Sequence, residues 1–211
     1  MRKFLLLLLL SGLAHIGFAQ TAINAGTVEL GGSINYLHKE ENTKSNTTYT
    51  SNLDTFTATP YLGYFVANNL AVGVNLGYTV QETKDVYISP SSSPTYRTYS
   101  SLRLGPYVRY YKLLTEQFGF TGTLSGGYSR DSQPASSNTR DGKSSGFYSG
   151  FTPGIIFLPI PKLGIGASIG GLAYTRLSVH DTGSYSDVTS TFGASFGLAQ
   201  LTFSGTYFFG R

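Results

Sequence analysis

The sequence contains no cysteine and no tryptophan, and only 12% of its 211 residues are charged. Without cysteine the chain cannot form the disulfides on which many exported proteins of this size depend. It also cannot carry a lipid on an N-terminal cysteine. A typical soluble domain has about 25% charged residues. The low charge therefore indicates that much of this surface is not meant to face water.

Long apolar runs are absent beyond the N-terminus. There, Arg2 and Lys3 precede an unbroken apolar run, and the small residues Gly17 and Ala19 occupy the −3 and −1 positions before Gln20. This pattern predicts a secretory signal peptide. The run is too short for a retained membrane helix, which needs about 20 apolar residues. The predicted organisation is a cleaved signal peptide over 1–19 and a single domain over 20–211.

Charge of either sign is scarce in the predicted mature chain. Without Arg2 and Lys3, the 15 basic residues fall to 13, against 11 acidic residues. This small excess gives no reason to expect a nucleic-acid partner.

What the sequence does contain is glycine, tyrosine and phenylalanine, with 26, 16 and 14 copies, arranged with a period of two. Apolar and small polar residues alternate, as in strands, and helical periodicity is not found after the signal peptide. Eight strands are predicted, over about 27–37, 54–66, 70–81, 98–111, 117–129, 146–158, 162–176 and 189–209. The alternation of apolar and polar residues becomes irregular near Gly170-Gly171. It shifts by one residue between Leu198 and Leu201, which predicts a bulge.

The predicted connections alternate in length. Three are tight, at 67–69, 112–116 and 159–162, whereas four are long and polar, at 38–53, 82–97, 130–145 and 177–188. Short turns at one end and long loops at the other are typical of an outer-membrane barrel, with both termini at the periplasmic end. The predicted fold is all-β: an eight-stranded antiparallel up-and-down transmembrane β-barrel with long extracellular loops and short periplasmic turns.

A secreted soluble barrel of the lipocalin type is the alternative, with its apolar face turned inward. Its other face would need many charges, but here that face carries Gly, Ser, Thr and Asn, with Glu29, Arg103 and Arg109 as its clear mid-strand charges. Small polar residues suit the narrow interior of an eight-stranded barrel. The pattern therefore favours lipid outside.

Aromatic residues near the strand ends support the same interpretation. Pairs eight to ten residues apart on tilted strands span roughly 25 Å, the height of an apolar band between two aromatic girdles. The predicted girdle consists of Tyr64, Tyr78, Tyr110, Phe118, Tyr128, Phe147, Phe157, Tyr207 and Phe209. Three prolines, at 60, 106 and 153, conflict with regular central strands, and each predicts a bulge or a local irregularity.

Three segments resemble the small outer-membrane β-barrel proteins (the OmpA/OmpX-like group). LGYFVANNLAVGVNLGY at 62–78 is similar to their strand–turn–strand signature, and FTPGIIFLPIPKLGIGASIGGLAY at 151–174 looks like a second copy. LTFSGTYFFGR at 201–211 resembles their closing strand, except that Gly210-Arg211 follows the aromatic Phe209. The resemblance implies an outer-membrane location in a Gram-negative bacterium and recognition by the barrel-insertion machinery. It implies no particular activity.

Candidate catalytic residues are few. His38 and His180 are the histidines of the predicted mature chain, both at the loop end, and His180-Asp181 is followed by several serines. Serine is so frequent here that this proximity carries little weight. A metal site built from His38, Glu40, Glu41 and His180 lacks a recognisable ligand spacing. We therefore expect no enzyme activity, no cofactor and no metal.

The remaining hypothesis concerns the charged residues predicted to lie inside the barrel. Strand one rises from the periplasmic side and strand four descends towards it, so Glu29 and Arg109 should lie at similar depth. We expect Glu29 to pair with Arg109, or alternatively with Arg103, because a charge in a narrow lumen is costly unless it is paired. Separately hydrated charges near the barrel mouth are the alternative.

The predicted function is a monomeric, plugged outer-membrane barrel with a structural or adhesive role. Its expected partners are outer-membrane lipids, lipopolysaccharide and an extracellular ligand bound by the loops. Two other functions stay open at this point: a narrow channel for small solutes, and a lipid A-modifying enzyme that uses His38 or His180.

Overall fold

The computed structural model describes residues 22–44, 48–88, 94–133, 142–180 and 186–211. The predicted signal peptide at 1–19 lies outside the described residues. Within them, no helix is long and apolar enough to cross a membrane.

Eight antiparallel strands follow one another around a closed barrel, each paired with its neighbours in the sequence, and β1 pairs with β8. The predicted eight-stranded antiparallel up-and-down barrel is therefore confirmed. The strands are β1 Val28–Lys44, β2 Thr48–Ala67, β3 Leu70–Ile88, β4 Thr95–Leu113, β5 Phe118–Gln133, β6 Gly142–Ile160, β7 Leu163–His180 and β8 Ser186–Phe209.

The two faces of the barrel have the predicted polarity. Apolar side chains such as Leu62, Val74 and Leu104 are about half exposed on the outside, whereas Glu29 and Tyr107 are buried on the inside. Because successive strand residues point to opposite faces, one alternating pattern produces both surfaces.

The predicted lengths of the four long loops are not confirmed. The described residues of 38–53, 82–97, 130–145 and 177–188 belong almost entirely to paired strands, which run on to residues such as Lys44 and Ile88. Beyond the apolar band both faces of a strand carry polar residues, so the alternation that reveals a strand in the sequence is lost there. Backbone pairing continues because it does not depend on side-chain polarity.

Each of the three strand prolines interrupts the pairing on one side. The ladder between β2 and β3 has no pair at Pro60, and the ladder between β4 and β5 has none at Pro106. At Pro153 the register between β6 and β7 shifts. Proline lacks the N–H that the ladder requires, so the predicted irregularities are confirmed.

The predicted irregularity in the last two strands is also confirmed. Ile169 pairs with Leu201, but the next residue, Gly170, pairs with Phe196, so residues 197–200 are extra on β8. Gly170 has a φ of 111°, a conformation that glycine adopts without steric cost. A Cβ at this position would also collide with the carbonyl oxygen of Ser195.

The seam that closes the barrel is short. β1 pairs with β8 only from Val28–Phe209 to Ile34–Phe203 in the described part of the chain. Just above these pairs, the side chain of Asn35 donates a hydrogen bond to the Leu201 carbonyl.

Candidate functional site

The lumen is filled with apolar side chains at its short-turn end. Phe65, Tyr111 and Phe208 are fully buried, and their ring centroids lie 5.5 to 6.1 Å apart. We call the whole set the closure cluster, and it consists of Ile23, Phe65, Ala71, Tyr111, Leu113, Ile156, Leu158 and Phe208. These side chains pack against one another at the density of a protein core.

The segment before β1 completes this closure. The backbone N–H of Ile23 donates to Oδ1 of Asn69 at 2.8 Å, and the N–H of Asn69 donates to the Ile23 carbonyl at 2.9 Å. The side chain of Asn68 accepts a hydrogen bond from the N–H of Ala25 at 3.0 Å. Asn69 has a φ of 65°, which asparagine tolerates better than most residues. The turn between β2 and β3 thus holds the N-terminal segment across the barrel end.

A buried carboxylate lies next to the closure cluster. Glu29 is 0% exposed, and its two carboxylate oxygens accept hydrogen bonds from the hydroxyls of Tyr107 at 2.6 Å and Tyr111 at 2.5 Å. Nη1 of Arg109 lies 3.7 Å from Oε1 of Glu29. The structure therefore brings Glu29 and Arg109 together inside the lumen.

Arg109 is held on several sides. Its Nε donates to Oγ1 of Thr123 at 2.9 Å, and its guanidinium carbon lies 4.2 Å from the ring centroid of Tyr61 and 5.0 Å from that of Tyr107. The hydroxyl of Tyr61 is in turn hydrogen-bonded to Thr206 at 2.5 Å. We call Glu29, Arg109, Tyr61, Tyr107 and Tyr111 the charge cluster.

The three tyrosines of the charge cluster are the part that the sequence reasoning missed. Tyr61 and Tyr107 fall on the inward face by alternation, but nothing singled them out as partners of Glu29. Their signal is size, because they are bulky residues on a face that carries many glycines and small polar residues.

Arg103 does not take part in this cluster. It projects into the lumen nearer the loop end, and its guanidinium carbon lies 5.6 Å from the ring centroid of Tyr148. The two candidate arginines therefore have different surroundings: Arg109 is packed against Glu29, and Arg103 faces open space.

The residues of the predicted aromatic girdle lie on the outer surface. Eight of the nine are exposed, and Phe118 is half-buried beside Phe120. Tyr64, Tyr110 and Phe157 each come three residues before the end of their strand at the short-turn end.

Of the two candidate catalytic histidines, His38 has a carboxylate as its hydrogen-bond partner among the described side chains, and not a nucleophile. Nδ1 of His38 lies 2.7 Å from Oδ1 of Asp54, which also accepts a hydrogen bond from Tyr36. The hydrogen bonds with His38 and Tyr36 hold the pKa of Asp54 below its usual value. The side chain of His180 lies outside the described residues. Among those described, no group of three acidic, histidine or cysteine side chains could hold a metal ion.

No protein-family model matches the sequence, and neither does any curated protein. Solved structures do match. Outer membrane protein OprG from Pseudomonas aeruginosa has a TM-score of 0.51 at 12% identity, covering 89% of this chain and 98% of its own. Outer membrane protein W from Escherichia coli has a TM-score of 0.44 at 12% identity, covering 88% and 99%. Ail, the attachment invasion locus protein of Yersinia pestis, has a TM-score of 0.40 at 14% identity, covering 89% and 100%. The closed ring of eight strands and the likeness to OprG lead to one conclusion: this chain has the fold of the small outer-membrane β-barrel proteins.

Proposed function

We propose that this chain is an integral outer-membrane protein that conducts no solute and binds an external partner through its projecting strand ends. The observation that carries the proposal is the closure cluster, which fills the lumen at the short-turn end with buried side chains. The charge cluster forms a second layer directly above it.

The membrane location is supported by the outer surface. Large apolar side chains that are 40 to 60% exposed cover the middle of every strand, as with Ile34, Leu104 and Ile155. A continuous apolar surface of this kind is stable in lipid and prone to aggregation in water. We expect a monomer in which outer-membrane lipids contact this surface.

The binding role is supported by the opposite end of the barrel. Paired strands continue past the apolar band there and carry polar residues such as Glu40, Asn42 and Thr50, whose side chains hydrogen-bond to one another. A rim held by backbone pairing presents its side chains in a fixed arrangement, which lowers the entropic cost of binding.

The two alternative functions have less support from this geometry. A channel needs a water path past Arg109, which the closure cluster blocks. A lipid-modifying enzyme needs a nucleophile beside the imidazole, and among the described residues the ring of His38 hydrogen-bonds only with Asp54.

Single-channel recording in planar bilayers tests the proposed closure. We expect the wild-type chain to give no steady current steps, because two layers of side chains fill the lumen. A variant with Phe65→Ala, Tyr111→Ala and Phe208→Ala should give measurable steps, because it removes the three central rings.

Phe120→Ala, which truncates an exposed aromatic on the outer face, is the matched control and should stay silent. Heat-dependent gel mobility checks that each variant is folded. Reproducible current steps from the wild-type barrel would rule out the proposed function.

A further inference from the structure

A cavity of about 470 Å³ lies in the lumen on the loop side of the charge cluster. The charge cluster contributes Tyr61, Arg109 and Tyr111 to its wall, so the cavity is blind at this end. Most other lining side chains carry a hydroxyl or an amide, including Ser33, Asn35, Thr57, Thr59, Asn75 and Thr123. Cavities of about 300 to 1,000 Å³ are the usual size for small-molecule sites.

The cavity carries an unequal charge. Two guanidinium groups line it, those of Arg103 and Arg109, and none of its lining residues is acidic. The charge of Arg109 is balanced by Glu29 at 3.7 Å. Arg103 has no carboxylate within 4.0 Å among the described side chains, so its charge is the unbalanced one.

Asp131, an acidic residue on the strand that pairs with β4 beside Arg103, already has hydrogen-bond partners. Asp131 is buried, accepts a hydrogen bond from Ser129 at 3.3 Å, and is also bonded to Tyr99.

One aromatic ring lies next to Arg103 in the cavity. The guanidinium lies over the ring of Tyr148, whose hydroxyl donates to Oδ1 of Asn75 at 3.0 Å. Tyr148 on β6 thereby reaches across the lumen to β3. A planar guanidinium that faces open space can present two parallel N–H donors, the geometry that a carboxylate or a phosphate accepts.

We propose that this cavity binds a small hydroxylated organic anion, a sugar acid or a sugar phosphate, whose oxyanion pairs with Arg103. The hydroxyl and amide side chains of the wall would hydrogen-bond to the sugar hydroxyls. The inference goes beyond the proposed function, which concerns the rim and the closure and does not require a ligand in the lumen.

Isothermal titration calorimetry on the full chain tests this proposal, in a polyoxyethylene detergent that contains neither sugar nor phosphate. Glucuronate, glucose 6-phosphate and glucose are the three probes. We expect at least one anion to bind at least tenfold more tightly than glucose, and the anion that binds identifies the preferred oxyanion.

Arg103→Gln should weaken anion binding at least tenfold, because it removes the charge and the paired donors. Arg130→Gln is the matched control, since Arg130 is exposed on the outer face of the neighbouring strand, and it should bind as the wild type does. Heat-dependent gel mobility again checks folding.

The absence of binding by both anions to the wild-type chain would overturn the inference, as would equal binding by Arg103→Gln. If the barrel conducts no current and binds no anion, the proposed function stands and this inference is wrong. If the barrel conducts current and binds an anion through Arg103, the proposed function is wrong and this inference stands.

Discussion

At the scale of single residues, Glu29 shows how a charge is tolerated inside a narrow barrel. Its carboxylate is 0% exposed but accepts two tyrosine hydroxyls and lies beside Arg109. Hydrogen bonds to an ionised group are stronger than neutral ones, and they offset part of the cost of removing the charge from water. Glu29 and Arg109 therefore each compensate the charge that the other brings into the lumen.

Glu29→Ala should lower the free energy of unfolding by about 3 to 5 kcal/mol, because it leaves Arg109 buried without its counter-charge. The double variant with Arg109→Met should lose less than the sum of the two single variants. Urea unfolding in lipid vesicles, followed by circular dichroism, measures all three values.

Glu41→Ala is the control, because it breaks an exposed ion pair with Lys39. Exposed pairs contribute about 1 kcal/mol or less. Additive losses at Glu29 and Arg109 would show that the two groups are not energetically coupled.

At the scale of elements, the strands depend on small inward residues that make room for large ones. Gly63 on β2 lies against Glu29 and the hydroxyl of Tyr107, and a Cβ there would come within 3.0 Å of Cγ of Glu29. Gly77 on β3 lies higher in the lumen, where a Cβ would be 3.5 Å from that of Arg103, an ordinary contact. The inward face therefore alternates in size as well as in polarity.

Gly63→Ala should reduce the free energy of unfolding by about 1 to 3 kcal/mol, because the added methyl group displaces the hydroxyl of Tyr107 from Glu29. Gly77→Ala, the matched control on the neighbouring strand, should change it by less than about 1 kcal/mol. The same urea titration measures both. Equal effects at the two glycines would contradict the tight packing inferred around Glu29.

The sequence predicts those features of the strands that depend on the alternation of apolar and polar residues. The number of strands, their faces and the irregularity at Gly170 follow from apolar residues that repeat every second position. The strand ends beyond the apolar band do not, because both faces are polar there. The pairing of Glu29 with Arg109 could be predicted, because their positions on two opposite-running strands place them at similar depth. The hydrogen bonds between Ile23 and Asn69 could not, because they leave no periodic signal in the sequence.

At the scale of the whole molecule, the low charge and the apolar outer surface have one explanation. A closed barrel pairs its backbone groups between strands, so it can cross lipid without helices. Its lumen is filled near one end and polar beyond that level, while the outer face carries exposed side chains such as Leu104, Leu124 and Ile155. From this arrangement we infer that the outer face contacts lipid.

Spin-label accessibility tests that claim most directly, and the absence of cysteine allows single cysteines to be introduced without background. Nitroxides at 104, 124 and 155 in lipid vesicles should collide more often with oxygen, which dissolves in lipid, than with a water-soluble nickel chelate. A nitroxide at Glu82, an exposed residue beyond the apolar band, should show the opposite preference. Collisions with the nickel chelate as frequent at the three outer positions as at Glu82 would contradict the account.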